Sequence, residues 1–149
     1  MGIVLENKRL YDKICYLHRQ MYRENIQLFA KFGVSPVQML AMVFIRKKAV
    51  QGIKVMQKDV EKFINLRASS VSTLISNLET KGFIIRTVAE GDARAKFIEL
   101  TEKGNNICLK DKQLMEKSDK AIQSALADDE QEEFERLLTK IIDSVSENN

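Results

Sequence analysis

Six short hydrogen-bonding side chains crowd one stretch of this chain: Ser69, Ser70, Ser72, Thr73, Ser76 and Asn77. No residue between Arg67 and Glu79 is charged. Solvent faces of helices ordinarily carry Lys and Glu, because Ser, Thr and Asn are poorer helix formers. Yet Val71, Leu74, Ile75 and Leu78 fall at i, i+3, i+4 and i+7, the spacing of a buried helical stripe. The spacing predicts a helix over 68–81, apolar on its inner face and lined outside with small donors and acceptors. Such a face is slim enough to sink into a major groove and bond base edges and phosphates. The plain alternative is a surface helix of indifferent composition. Arg67, at the head of the segment, is grouped with these candidate contacts.

The charge that this helix lacks comes next in the chain. Phe83 to Val88 is rich in β-formers, Glu90-Gly91-Asp92-Ala93 reads as a turn, and Lys96 to Leu100 partly alternates, which together predict a β-hairpin. Arg86, Arg94 and Lys96 flank its small tip. An arginine on a narrow tip suits a minor groove, whose negative potential attracts it. Asp92, two residues from Arg94, reads as a positioning partner rather than a DNA contact.

The elements that must hold these residues are legible from few breaks. Ser35-Pro36-Val37-Gln38 is a strong helix start: serine at the cap, proline first, glutamine three after the cap. The helix runs to about Ala49. Ahead of it, Leu10, Ile14, Leu17, Met21, Leu28 and Phe32 make one stripe on a long helix, Leu5 to Phe32, ended by Gly33. Met56 to Phe63 is a short helix joined by Ile64 to Arg67 to the serine-rich one, which Gly82 stops. Thr101 caps a helix to about Leu126. Asp128 to Gln131 reads as another cap-and-N3 pair, opening a helix striped by Phe134, Leu137, Leu138, Ile141, Ile142 and Val145. Short helix, turn, second helix and hairpin in that order are a helix-turn-helix with a wing.

Composition agrees. With 44% hydrophobic and 30% charged residues in 149, the chain has material for one folded domain rather than for disorder. Residues 1–53 carry nine Lys/Arg against three Asp/Glu, while residues 104–149 carry six against eleven. A basic front suits a polyanion; an acidic tail is usually a solvated face. No stretch approaches the ~20 apolar residues of a membrane span, and Glu6 to Arg9 leave no room for an export signal. Two cysteines, Cys15 and Cys108, fit a reducing cytoplasm.

Leu66 to Gly104 resembles the core of the MarR family of winged-helix transcriptional regulators. The likeness is carried by Val71-Ser72, Leu78-Glu79-Thr80-Lys81-Gly82-Phe83-Ile84 with Arg86, then Asp92-Ala93-Arg94 and Leu100-Thr101-Glu102-Lys103-Gly104. Two departures stand out. Ser72 replaces the usual threonine, and Ala93 and Ala95 flank Arg94 where a second basic residue is common. The hairpin region is similar to repressors of multidrug efflux genes. The resemblance implies a mainly α fold with a small β-hairpin wing: a winged helix-turn-helix (34–100) flanked by long dimerisation helices (1–33 and 101–149). It further implies a cytoplasmic homodimer reading a pseudopalindromic operator in double-stranded DNA. A small aromatic or amphipathic effector would release it.

For that effector, the candidate lining is Tyr16, His18 and Tyr22 on the first helix, with Met39, Met42 and Phe44 opposite. Methionines adapt to varied ligands and are equally ordinary core fillers. Cys15 sits where some MarR-type peroxide sensors carry a reactive cysteine, with His18 at i+3 and Arg19 at i+4. A reactive thiol needs such neighbours to lower its pKa, and a buried inert thiol is the commoner fate. Cys15 and His18 alone make no metal site. No nucleophile elbow, P-loop or dinucleotide fingerprint is present, and one histidine argues against acid–base catalysis. The reading is a regulator rather than an enzyme, with no cofactor. Its rivals are a redox-sensing regulator using Cys15 and a helical protein–protein module without DNA activity.

Overall fold

A computed structural model describes residues 9–89 and 92–147, with the side chains of 89 and 92–95 outside the description. The order is α1 (Leu10–Lys31), α2 (Pro36–Val50), β1 (Val55–Met56), α3 (Gln57–Ile64), α4 (Ala68–Thr80), β2 (Ile84–Ala89), β3 (Asp92–Leu100), α5 (Glu102–Ala125) and α6 (Asp128–Glu147). The fold is mainly helical with one small sheet, as expected from the sequence. Among the described residues no single helix is long and apolar enough to cross a membrane.

Local chemistry explains the boundaries. At α2 the Ser35 hydroxyl accepts from the Gln38 amide at 3.2 Å, and the Gln38 side chain accepts from the Ser35 amide at 3.0 Å. Both halves of the capping box are therefore made. At α3 the Asp59 carboxylate reaches back to the Met56 amide at 2.8 Å. Helix α3 ends on Asn65, whose backbone is left-handed (φ 56, ψ 45). Asparagine tolerates that conformation better than most residues, and it lets the chain turn within three residues into α4.

The sheet is antiparallel in the order β1-β3-β2. Ile84 pairs with Leu100 and Val88 with Lys96, then the register shifts at Val88/Ala89 so that Ala89 pairs with Asp92. The expected hairpin strands are present, but two residues read from the sequence as turn are strand. Asp92 and Ala93 already belong to β3, and Glu90 and Gly91 lie outside the described residues. The third strand, β1, pairs Val55 with Ile98 and Met56 with Phe97.

The chain divides into two compact units, residues 1–114 and 115–149. In the first, one core gathers Phe29 of α1, Met39, Met42 and Ile45 of α2, and Val60 of α3. It also takes in Val71, Leu74, Ile75 and Leu78 of α4, Phe83, Ile84 and Ile98 of the wing, and Ile107 of α5. All four residues of the expected α4 stripe are buried. The wing joins α5 through a close contact. The Thr101 amide donates to the Phe83 carbonyl at 3.0 Å. The Thr101 hydroxyl donates to the Gly82 carbonyl at 2.7 Å and accepts from the Gly104 amide at 3.1 Å. A Cβ on Gly104 would lie 2.1 Å from the Phe83 carbonyl oxygen, so this position admits only glycine without movement.

In the second unit, α6 begins one residue earlier in its capping than the sequence suggested. The Glu130 carboxylate accepts from the Ala127 amide at 2.8 Å, so Ala127 and Glu130, not Asp128 and Gln131, are the cap and N3 residues. Gln131 instead donates to the Gln123 and Leu126 carbonyls, at 2.9 and 3.1 Å. Within this unit no residue of α6 is buried.

Candidate nucleic-acid interface

Helix α4 presents the expected face. Ser69, Ser70, Ser72, Thr73 and Asn77 are exposed, Ser76 is half-buried, and Arg67 is exposed at the N-cap. Burial of the opposite stripe fixes the helix's rotation, so these side chains stand outward together. Their hydroxyls differ in what they offer. Thr73 donates its hydroxyl hydrogen to the Ser69 carbonyl at 3.1 Å, leaving the oxygen's lone pairs outward as an acceptor. Thr80 does the same toward the Ser76 carbonyl at 2.9 Å.

The wing cations are placed differently from one another. Lys96 is exposed. The side chain of Arg94 lies outside the described residues, although its backbone is in β3. Arg86, grouped in the sequence with the DNA contacts, is engaged within the protein. Its Nε donates to Glu79 Oε2 at 2.8 Å, and its Nη2 meets the same oxygen. That hydrogen bond holds the Glu79 carboxyl below the usual carboxylate range and raises the arginine in turn. Glu79 was not among the candidates read from the sequence. The available signal was its position, since a carboxylate in the last turn of a helix opposes the helix dipole and calls for a partner.

The effector candidates separate. Met39 and Met42 are 2% and 0% exposed, in the core. His18 and Tyr22 stack at 5.1 Å, and Tyr22 meets Phe29 edge-on at 5.8 Å. Burial, followed by Asp111, raises the Tyr22 phenol. Both rings line a hollow of about 530 Å³ on α1 with Cys15, Arg19, Arg23 and Ile26; Tyr16 is half-buried and not part of it. Cys15 lies one turn from Tyr11, whose phenol its proximity raises. Cys108 is buried, its thiol pushed up to about 12, first by desolvation. Among the described residues, no three His, Cys, Asp or Glu side chains converge to hold a metal ion.

A family profile described as winged helix DNA-binding domain matches residues 34–104. The HTH-type transcriptional regulator MgrA of Staphylococcus aureus is 28% identical over 95% of this chain and 96% of its own. Among solved structures, the S. aureus MepR–DNA complex superposes with a TM-score of 0.73 at 25% identity, covering 91% of this chain and 97% of that one. MepR itself, described as a transcription regulator of the multidrug efflux pump MepA, gives 0.72 at 24%, covering 92% and 98%. Helix, turn, exposed reading helix and wing define a winged-helix DNA-binding transcriptional regulator. Within that class the chain is similar over nearly its whole length to MgrA and to MepR.

Proposed function

We propose that this regulator works as a homodimer that represses by occupying an inverted-repeat operator, and that a small aromatic or amphipathic molecule releases it. The observation that carries the reading is the outward face of α4, backed by a fully buried stripe and bare of charge between Arg67 and Glu79. Ser72 and Thr73, toward the N-terminal end, are assigned base contacts, because recognition helices usually enter the groove by that end. Arg67, Ser69, Ser70, Ser76 and Asn77 complete the face, while Arg94 and Lys96 of the wing are assigned to phosphate or the minor groove. The MepR–DNA complex supports this use of the fold.

The arms, residues 1–33 and 101–149, are assigned to the dimer. Phe134, Leu137, Leu138, Ile141, Ile142 and Val145 of α6 are 39–57% exposed in the single chain. Covering what remains of each is worth about 1 kcal/mol. Leu10, Ile14 and Leu17 of α1 are likewise open. Monomers rarely leave such stripes bare. For the effector, the His18–Tyr22 stack and its hollow are the assigned site, and Met39 and Met42 are assigned to the core. MepR bound to ethidium bromide supports a planar aromatic ligand in this fold.

The test is a mobility shift of the full chain on duplexes selected from a random pool, run across a salt series beside sedimentation. A dimer whose affinity falls steeply with salt, and whose selected sites are inverted repeats spaced by about 34–36 Å, is the expected result. Salt-independent or undetectable binding would overturn the reading.

A further inference from the structure

We propose that Glu79 is a positioning residue that ties the wing to the recognition helix, and that Arg86 serves this tie rather than DNA. Glu79 lies in the last turn of α4, two residues beyond Asn77 of the reading face. A carboxylate there opposes the helix dipole and would repel a polyanion. On both counts the position is unfavourable for a DNA-binding helix unless the charge is used. The structure shows its use. Arg86 projects from β2, seven residues on, and grips one carboxylate oxygen with both Nε and Nη2. Lys96, on the neighbouring strand β3 and opposite Val88, adds a second favourable charge. One carboxylate on the reading helix is thus held by Arg86 of β2, with the charge of Lys96 on β3 adding a weaker attraction.

The side chains are 27% and 37% exposed for Arg86 and Glu79, so the pair is screened and adds little to global stability. Its effect is geometric. Between α4 and β2 the chain passes through Gly82 with φ +72, a loop that leaves the angle between helix and wing to be set by contacts. The Phe83 and Ile84 core contacts fix the root of the wing; the Glu79–Arg86 tie acts farther out, where a small rotation moves the tip most.

The inference rests on the reading that the wing meets DNA. The experiment distinguishes the two because their signs differ. Removing an acid near DNA should tighten binding if Glu79 is a mere bystander. If it is a tie, Glu79→Gln weakens the selected duplex by about threefold to tenfold, and a scrambled duplex much less. Arg86→Lys keeps the charge but loses the two-nitrogen grip. It should weaken the selected duplex to the same degree, with the salt slope unchanged. A direct phosphate contact would leave Arg86→Lys near the parent, and would drop the slope by about one in Arg86→Gln. Circular dichroism of each variant should show the parent's melting temperature within a few degrees. Equal or tighter binding by Glu79→Gln, parental binding by Arg86→Lys, or loss of the folded state in both overturns the proposal. Arg94→Ala, measured alongside, tests the wing contact by itself: if it leaves affinity unchanged, that contact fails, whereas the tie is decided by Glu79→Gln.

Discussion

Replacing Gly104 by alanine should destabilise the protein by about 3 kcal/mol, although alanine is the better helix former. The added Cβ would stand 2.1 Å from the Phe83 carbonyl oxygen, and real Cβ contacts essentially never fall under 3.0 Å. The two must separate by about 0.9 Å, the difference between those distances. That oxygen accepts from the Thr101 amide at 3.0 Å. Leucine 100 is also close, its Cδ2 at 3.1 Å from the same Cβ. Forcing extra volume into a packed contact costs about 1–3 kcal/mol. Leaving a buried backbone group unpaired costs about 1–3 kcal/mol more. The gain in helix propensity returns at most ~1 kcal/mol. At about 2–4 °C per kcal/mol for a chain of this size, the melting temperature should fall by about 10 °C. Thermal unfolding followed by circular dichroism measures it, at one fixed protein concentration because a dimer's midpoint depends on concentration. Thr101→Val, which deletes the hydroxyl's two bonds without adding bulk, should cost about half as much. A Gly104→Ala variant melting within 2 °C of the parent, on the order of 1 kcal/mol, would refute the steric account.

Thr73→Ala should weaken binding to a selected operator by about 1–3 kcal/mol, with scrambled duplex little affected, whereas Arg94→Ala should weaken both alike and lower the salt slope by about one. Deleting residues 128–149 should give monomers or aggregates by light scattering; a well-behaved dimer would remove α6 from the interface. Alkylation at neutral pH should label Cys15 and spare Cys108, which is buried and pushed up to about 12, so its thiolate is scarce at any pH well below that. Cys15→Ser should leave DNA binding and its response to organic peroxide unchanged; loss of peroxide-triggered release would make Cys15 a sensor.

Periodic features were legible in the sequence because a stripe repeats. The α4 stripe sets four apolar residues, Val71, Leu74, Ile75 and Leu78, at helical spacing, and all four are buried. The Ser35–Gln38 box was legible because both partners have the right types three residues apart. What escaped were features without period or signature. Strand β1 is two residues long, too short to alternate, and exists only because β3 has a free edge for Val55 and Met56. The α3 cap hides because Met56 offers no capping side chain of its own, and Asp59 supplies the bond from the other side. At α6 an acidic run, Asp128-Asp129-Glu130, offered several registers, and hydrogen-bond reach selected Glu130. Within the interface, residue type predicted which side chains face outward but not what they were already bonded to. Arg86 and Lys96 look alike in sequence, and only the fold shows that Arg86 is engaged by Glu79.

That difference bears on how affinity and specificity divide. A helix face bare of charge between Arg67 and Glu79 gains little from the electrostatic attraction that dominates nonspecific binding. Its short hydroxyls and amide are suited to discriminating among base edges, where hydrogen bonds must match. On the proposed reading the salt-sensitive share of the binding energy falls on Arg67, at the N-cap end of the face, and on Arg94 and Lys96 of the wing strand β3. A reader with little charge and a holder with little sequence information work only when they engage the duplex together. The proposed Glu79–Arg86 tie between α4 and the wing would therefore be as much a determinant of specificity as any side chain that touches a base. Loosening it should lower the ratio of operator to scrambled affinity while leaving the salt slope in place.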